Sequence, residues 1–124
     1  MKYAITTNRA PEAIGAYSQG TTAARFVFTS GQLGMDPKTG ELLEGIEAQT
    51  DRAISNIEAI LAEVDLTLSD VTKVTVFITD MGNFDKVNKT YAKRFPKPEP
   101  ARSVVEVGAL PKGGLVEIEC IACR

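Results

Sequence analysis

The clearest periodicity in the chain lies over residues 46–64. Ile46, Ala53, Ile54, Ile57, Ile60, Leu61 and Val64 fall on one stripe, and Glu47, Asp51, Arg52, Ser55, Glu58 and Glu63 fill the rest. That spacing predicts an amphipathic helix. A second stripe, Phe84, Val87, Tyr91 and Phe95, predicts another helix with Asn83 in the N-cap position. Pro96, Pro98 and Pro100 end it and force an extended linker. Elsewhere the period is two. Over 71–79, Val74, Val76 and Ile78 alternate with Lys73, Thr75 and Thr79, while Phe77 interrupts the polar side, so that face is half covered. Residues 102–107 and 115–123 read as further strands, and 17–22 with 25–30 as a hairpin. Residues 1–16, with Pro11 and Gly15, read as a short strand running into a loop. Asp36-Pro37-Lys38-Thr39-Gly40 and Leu110-Pro111-Lys112-Gly113-Gly114 carry turn chemistry.

The order strands, helix, strand, helix, strand, strand predicts one α+β domain over 1–124, with both helices on one sheet face. The other face would leave Phe77 and Ile121 wet, and self-association is the simplest cover. A chain of 124 residues with 44% hydrophobic content can bury a core of its own. The net charge of -2 weighs against a general nucleic-acid or anionic-membrane binder. No apolar run reaches membrane length, and no signal-peptide core is visible near the N-terminus. Two cysteines give no disulfide framework, so a cytoplasmic, reducing location is the default expectation. The absence of His removes histidine triads, dyads and metal sites. Acid–base work would fall to carboxylates, Tyr, Lys, backbone groups or water.

The candidate chemistry is sparse. Arg102, where the proline linker enters a strand, could grip a carboxylate through two parallel hydrogen bonds. An arginine at a strand end is more often simply solvated. Glu117 and Glu119 share one face of the last strand, opposite Val116, Ile118 and Cys120. A carboxylate on a half-covered sheet could carry a raised pKa, though the ordinary polar face of a strand looks the same. Ser30-Gly31-Gln32 closes a strand and could present a backbone N–H to an oxyanion, or simply make a tight turn. Tyr17 could wall a pocket or belong to the core, and Asn88 could reach a ligand or face water. Cys120 and Cys123 point to opposite strand faces and cannot complete a zinc site, so they read as small apolar residues. Lys86, Lys89, Lys93, Arg94 and Lys97 give the second helix a basic side that reads as a solvated face rather than an RNA footprint.

In combination these pieces resemble the Rid (YjgF-type) family of reactive-intermediate deaminases along nearly the whole chain. The resemblance is carried by Ala10-Pro11, Ile14-Gly15-Ala16-Tyr17-Ser18-Gln19-Gly20, Phe28-Thr29-Ser30-Gly31-Gln32 and Asp36-Pro37-Lys38-Thr39-Gly40. It continues in Gln49, Asn56, Val76-Phe77 and Val87-Asn88. It closes with Pro100-Ala101-Arg102-Ser103, Leu110-Pro111 and Val116-Glu117-Ile118-Glu119. It implies a chorismate-mutase-like mixed sheet, a homotrimer with its helices outside a barrel of packed sheets, and ligand clefts between subunits. It implies hydrolysis of carboxylate-bearing enamines and imines such as 2-aminoacrylate, 2-iminopropanoate and 2-iminobutanoate to 2-oxo acids and ammonia, with no cofactor and no metal. By position, Arg102 matches the carboxylate-binding arginine and Glu117 the glutamate that activates water. Tyr17, Ser30, Gly31, Asn88 and Val104 match the pocket. Val104 stands where many relatives carry Cys, Ala16 replaces a common Pro, and the 95–100 segment is shorter than in many members. Two alternatives belong to other classes: a non-catalytic 2-oxo-acid-binding module, and an RNA-cleaving or translation-inhibiting protein, an activity also associated with the family.

Overall fold

In a computed structural model describing residues 1–124, the first predicted helix runs Ile46–Ala62 (α1). Its stripe is buried as the periodicity requires: Ala53, Ile54, Ile57, Ile60 and Leu61 have no measurable exposure. The chain enters α1 through Gly45 at φ 89°, a conformation that side chains resist. The second helix runs Phe84–Arg94 (α2). Asn83 holds the N-cap position, but its side chain caps nothing. Asp80 instead accepts the Gly82 N–H in the 3₁₀ turn just before, so the side-chain start signal acts one turn upstream. Asp85 in the first turn and Lys93 and Arg94 in the last complement the helix dipole. Arg94 also joins the two helices. Its guanidinium lies 2.6 Å from Asp51 Oδ1 and 2.9 Å from Glu58 Oε1, and donates to Ser55 Oγ. This arginine therefore turns inward onto α1 and does not belong to an open basic face.

The strands are β1 (Lys2–Ile5), β2 (Gly20–Ala23), β3 (Phe26–Thr29), β4 (Gln32–Leu33), β5 (Val71–Ile78), β6 (Ala101–Glu106) and β7 (Val116–Cys123). They form one mixed sheet in the order β1-β2-β3-β7-β5-β6, with β4 also paired to β7. Only β5 and β6 run parallel. Their crossover is α2, as a parallel pair demands. The predicted hairpin forms, but its first strand begins at Gly20 rather than residue 17. The cause is Gln19. Its buried amide accepts the Thr7 N–H and donates to the carbonyls of Thr7, Ala10 and Pro11. Side-chain bonds thus hold this segment as a loop before the ladder starts.

The two-residue strand β4 is an addition to the predicted set. It lies along the same edge of β7 as β3: Phe26–Phe28 pair with 121–123 of β7, and Gln32–Leu33 with Glu117–Ile118. Ser30 and Gly31 are the break between the two ladders. One sheet face, including Val27, Val74, Val76, Ile78, Val116, Ile118 and Ala122, packs under the helices in a single core. The other face stays open. Phe26, Phe28 and Val105 are 47%, 39% and 43% exposed there, with Phe77 and Ile121 half-buried.

Candidate active site

The open face carries a cavity of about 620 Å³, lined by Tyr17, Ser30, Gly31, Leu33, Lys112, Glu117 and Glu119 among others. Its position follows from the break between β3 and β4, which sets Ser30 and Gly31 against the middle of β7. Ser30 is fixed by donating its hydroxyl to the Ser18 carbonyl at 2.6 Å and its N–H to the Gln19 carbonyl at 2.9 Å. Gly31 leaves room for Glu117: a β-carbon on it would stand 2.7 Å from Glu117 Cδ and push that side chain aside. Tyr17 is half exposed at the rim, and its hydroxyl accepts the Ile14 N–H at 3.4 Å. Opposite, α1 anchors the far walls. Asn56 donates to the carbonyls of Leu33 and Met35, and Gln49 bridges the Leu43 carbonyl and the Leu115 N–H.

Glu117 is half-buried here, and burial lifts its pKa above the ordinary glutamate value, with the charge of Glu119 adding to the shift. The ion pairs of the chain join Arg9 to Glu63 and Arg94 to Asp51 and Glu58, which leaves Glu117 without a cationic partner. A carboxylate so placed is a stronger base than an ordinary glutamate and is better suited to take a proton from water.

Arg102 occupies a different place. Across the sheet it is in register with Val74, which pairs with Cys120, so its side chain leaves the sheet on the helix-covered face. There it donates through Nη1 to Asn88 Oδ1 at 2.9 Å and lies over the rings of Tyr91 and Phe84, 4.7 and 5.7 Å from their centroids. Val104 lies two residues further on, on the same face, and packs against the core. Glu117 is in register with Phe77 and Val105 on the open face. The two charged groups thus leave opposite faces of the sheet, with a whole strand between theirs, about 10 Å of backbone. Of the site residues read from the sequence, Tyr17, Ser30, Gly31 and Glu117 come together. Asn88 and Arg102 come together elsewhere, and one chain does not join the groups.

Cys120 and Cys123 do point to opposite faces. Burial pushes the Cys120 thiol up to about 12, against a smaller opposing effect of its hydrogen bond with Thr29, so it stays protonated at neutral pH.

A family model described as Endoribonuclease L-PSP matches residues 7–124. The 2-iminobutanoate/2-iminopropanoate deaminase of Salmonella typhimurium is 44% identical over the whole chain and 99% of its own length. The chain belongs to the Rid (YjgF, L-PSP) family. A RutC family protein of Pyrococcus horikoshii is 50% identical, covering all of this chain and 99% of its own. Among solved Rid-like structures, Escherichia coli TdcF with bound serine superimposes with a TM-score of 0.92 at 40% identity, over 98% of each chain. The single α+β domain with its mixed sheet and two helices is therefore the fold of this family. No helix of the chain is long and apolar enough to cross a membrane.

Proposed function

We propose that this Rid protein is a hydrolytic deaminase that converts 2-aminoacrylate, 2-iminopropanoate and 2-iminobutanoate to the 2-oxo acid and ammonia. The observation that carries this reading is Glu117. It is a half-buried carboxylate with a raised pKa and no cationic partner, set in a cavity against Ser30 and Gly31. The name of the Salmonella relative supports the same reaction.

The imine carbon is already electrophilic, so the site needs orientation, a positioned water and proton traffic. Glu117 takes a proton from water as its oxygen adds to the carbon. The proton passes to nitrogen, the proton of the new hydroxyl follows it through Glu117, and the C–N bond breaks so that ammonia leaves as the carbonyl forms. An enamine substrate is first protonated at its terminal carbon to give the imine. Arg102 holds the substrate carboxylate. Because Arg102 and Glu117 leave opposite faces, each working site combines Glu117, Tyr17, Ser30 and Gly31 of one copy with Arg102 and Asn88 of a neighbour. The open apolar face around Phe28, Phe77 and Ile121 is the surface on which copies associate, as a trimer. The test is to couple a serine/threonine dehydratase to the protein and follow imine decay. Accelerated decay is expected, and decay at the uncatalysed rate with 2-oxo-acid binding intact would make the protein a binding module instead.

A further inference from the structure

The arginine half of the site is built from one stripe of one helix. Phe84, Asn88 and Tyr91 are spaced four and three residues apart along α2, so they lie on a single face, and Phe95 follows at the C-cap in extended backbone. Asn88 Oδ1 takes one Nη1 hydrogen of Arg102. The Tyr91 ring lies under the guanidinium at 4.7 Å, and Phe95 stacks on Tyr91 at 4.4 Å between centroids with the planes 25° apart. Tyr91 is only 4% exposed, and its hydroxyl is buried with no hydrogen-bond partner. A buried hydroxyl without a partner is a cost to the fold, so what Tyr91 contributes here is its ring. A planar cation over an aromatic face is held in orientation as well as attracted, and burial strengthens the attraction.

We infer that Tyr91 is a positioning residue for Arg102: its ring, backed by Phe95, fixes the plane of the guanidinium so that the donors not used by Asn88 point outward for a carboxylate. The role of the clamp rests on the deaminase reading, but the clamp itself can be observed without it. Burial also pushes the Tyr91 phenol up to about 12, with Arg102 acting in the opposite direction, so the ring stays neutral wherever the protein is folded and working.

The test compares the parent with Tyr91→Phe, Tyr91→Met and Tyr91→Leu, the two aliphatic variants giving two chances of a folded protein without the ring. In ¹⁵N-labelled parent protein, the Arg102 Nε–H proton should give a resolved signal displaced upfield by the ring. Tyr91→Phe should keep that signal, with a Tm at or above the parent's, because only the unpartnered hydroxyl is lost. Tyr91→Met and Tyr91→Leu should return it to the bulk arginine position. In imine hydrolysis the aliphatic variants should raise KM by roughly five- to thirtyfold, with kcat within about threefold, since a clamp grips ground state and transition state alike. Their pyruvate affinity should fall in step, and Tyr91→Phe should recover both values. An unmoved Arg102 signal in the folded aliphatic variants overturns the inference, as does a loss confined to kcat. A parent that neither hydrolyses imines nor binds pyruvate overturns the deaminase reading instead, and the Arg102 signal then still decides the clamp.

Discussion

The two charged groups of the candidate site are held in contrasting ways. Arg102 is held by several groups: an amide takes one of its hydrogens, and its guanidinium lies over the rings of Tyr91 and Phe84. Glu117 has no cationic partner, sits half out of water beside another carboxylate, and has its space kept clear by a glycine. The difference matches what each task asks. A group that orients a ligand gains from having few conformations to lose. A group that moves a proton gains from a perturbed pKa and from room for water. One helix stripe supplies the first environment, and a break between two short strands supplies the second.

The contrast can be broken most completely by separating the two halves. Phe28→Asp with Ile121→Asp places charge on the open face, where both positions are at least partly exposed in the single chain. Sedimentation should show the assembled parent giving way to monomer, and hydrolysis should fall to background. A parent that is itself monomeric and active at micromolar concentration would refute the shared site. Next comes Glu117→Gln, which keeps shape and removes the proton acceptor. Imine hydrolysis should drop by roughly a hundredfold or more while pyruvate still binds by calorimetry. Full activity in this variant would assign the chemistry to held water and backbone groups. Arg102→Lys should act on the other half. Lysine keeps the charge but not the planar fork, so pyruvate binding should weaken by roughly ten- to a hundredfold at unchanged fold.

The smallest effect sharpens the electrostatic side. Because the Glu117 pKa is raised, the carboxylate form is reached at higher pH than for an ordinary glutamate, so kcat/KM should decline as pH falls through that raised value. Glu119→Gln removes the lesser of the two causes and should move this acid limb down by a fraction of a pH unit, burial keeping the rest. The stability sign is opposite. A raised folded pKa means the native state holds the proton more tightly, so this group's contribution is greatest below the unfolded value and is lost as pH rises through the folded one. Chemical denaturation of Glu117→Gln across that window should lack this slope.

Much of this was legible in the chain. The isoleucine stripe of α1, the alternation of β7 and the opposed cysteines follow from period alone, and the ordered motifs carry the family. The rest depends on contacts that exist only after folding. β4 is two residues long and has no period to detect. Gln19, Gln49 and Asn56 are each buried because their amides satisfy backbone groups far along the chain, contacts that no local pattern encodes. Tyr91 read as core, which it is. Its second face was hidden because the strand carrying Arg102 could have presented the guanidinium on either side. A signal was present in Phe84, Asn88 and Tyr91, an amide set within an aromatic stripe.

The opposite exits of Arg102 and Glu117 from the sheet have a genetic consequence. With the site shared between copies as proposed, two damaged copies can repair one another. A chain lacking the glutamate still offers a sound arginine to its neighbour, and a chain lacking the arginine still offers a sound glutamate. Co-expressed in equal amounts and assembled at random, Glu117→Gln and Arg102→Lys chains should rebuild roughly a quarter of the parental sites. Either chain by itself would remain impaired.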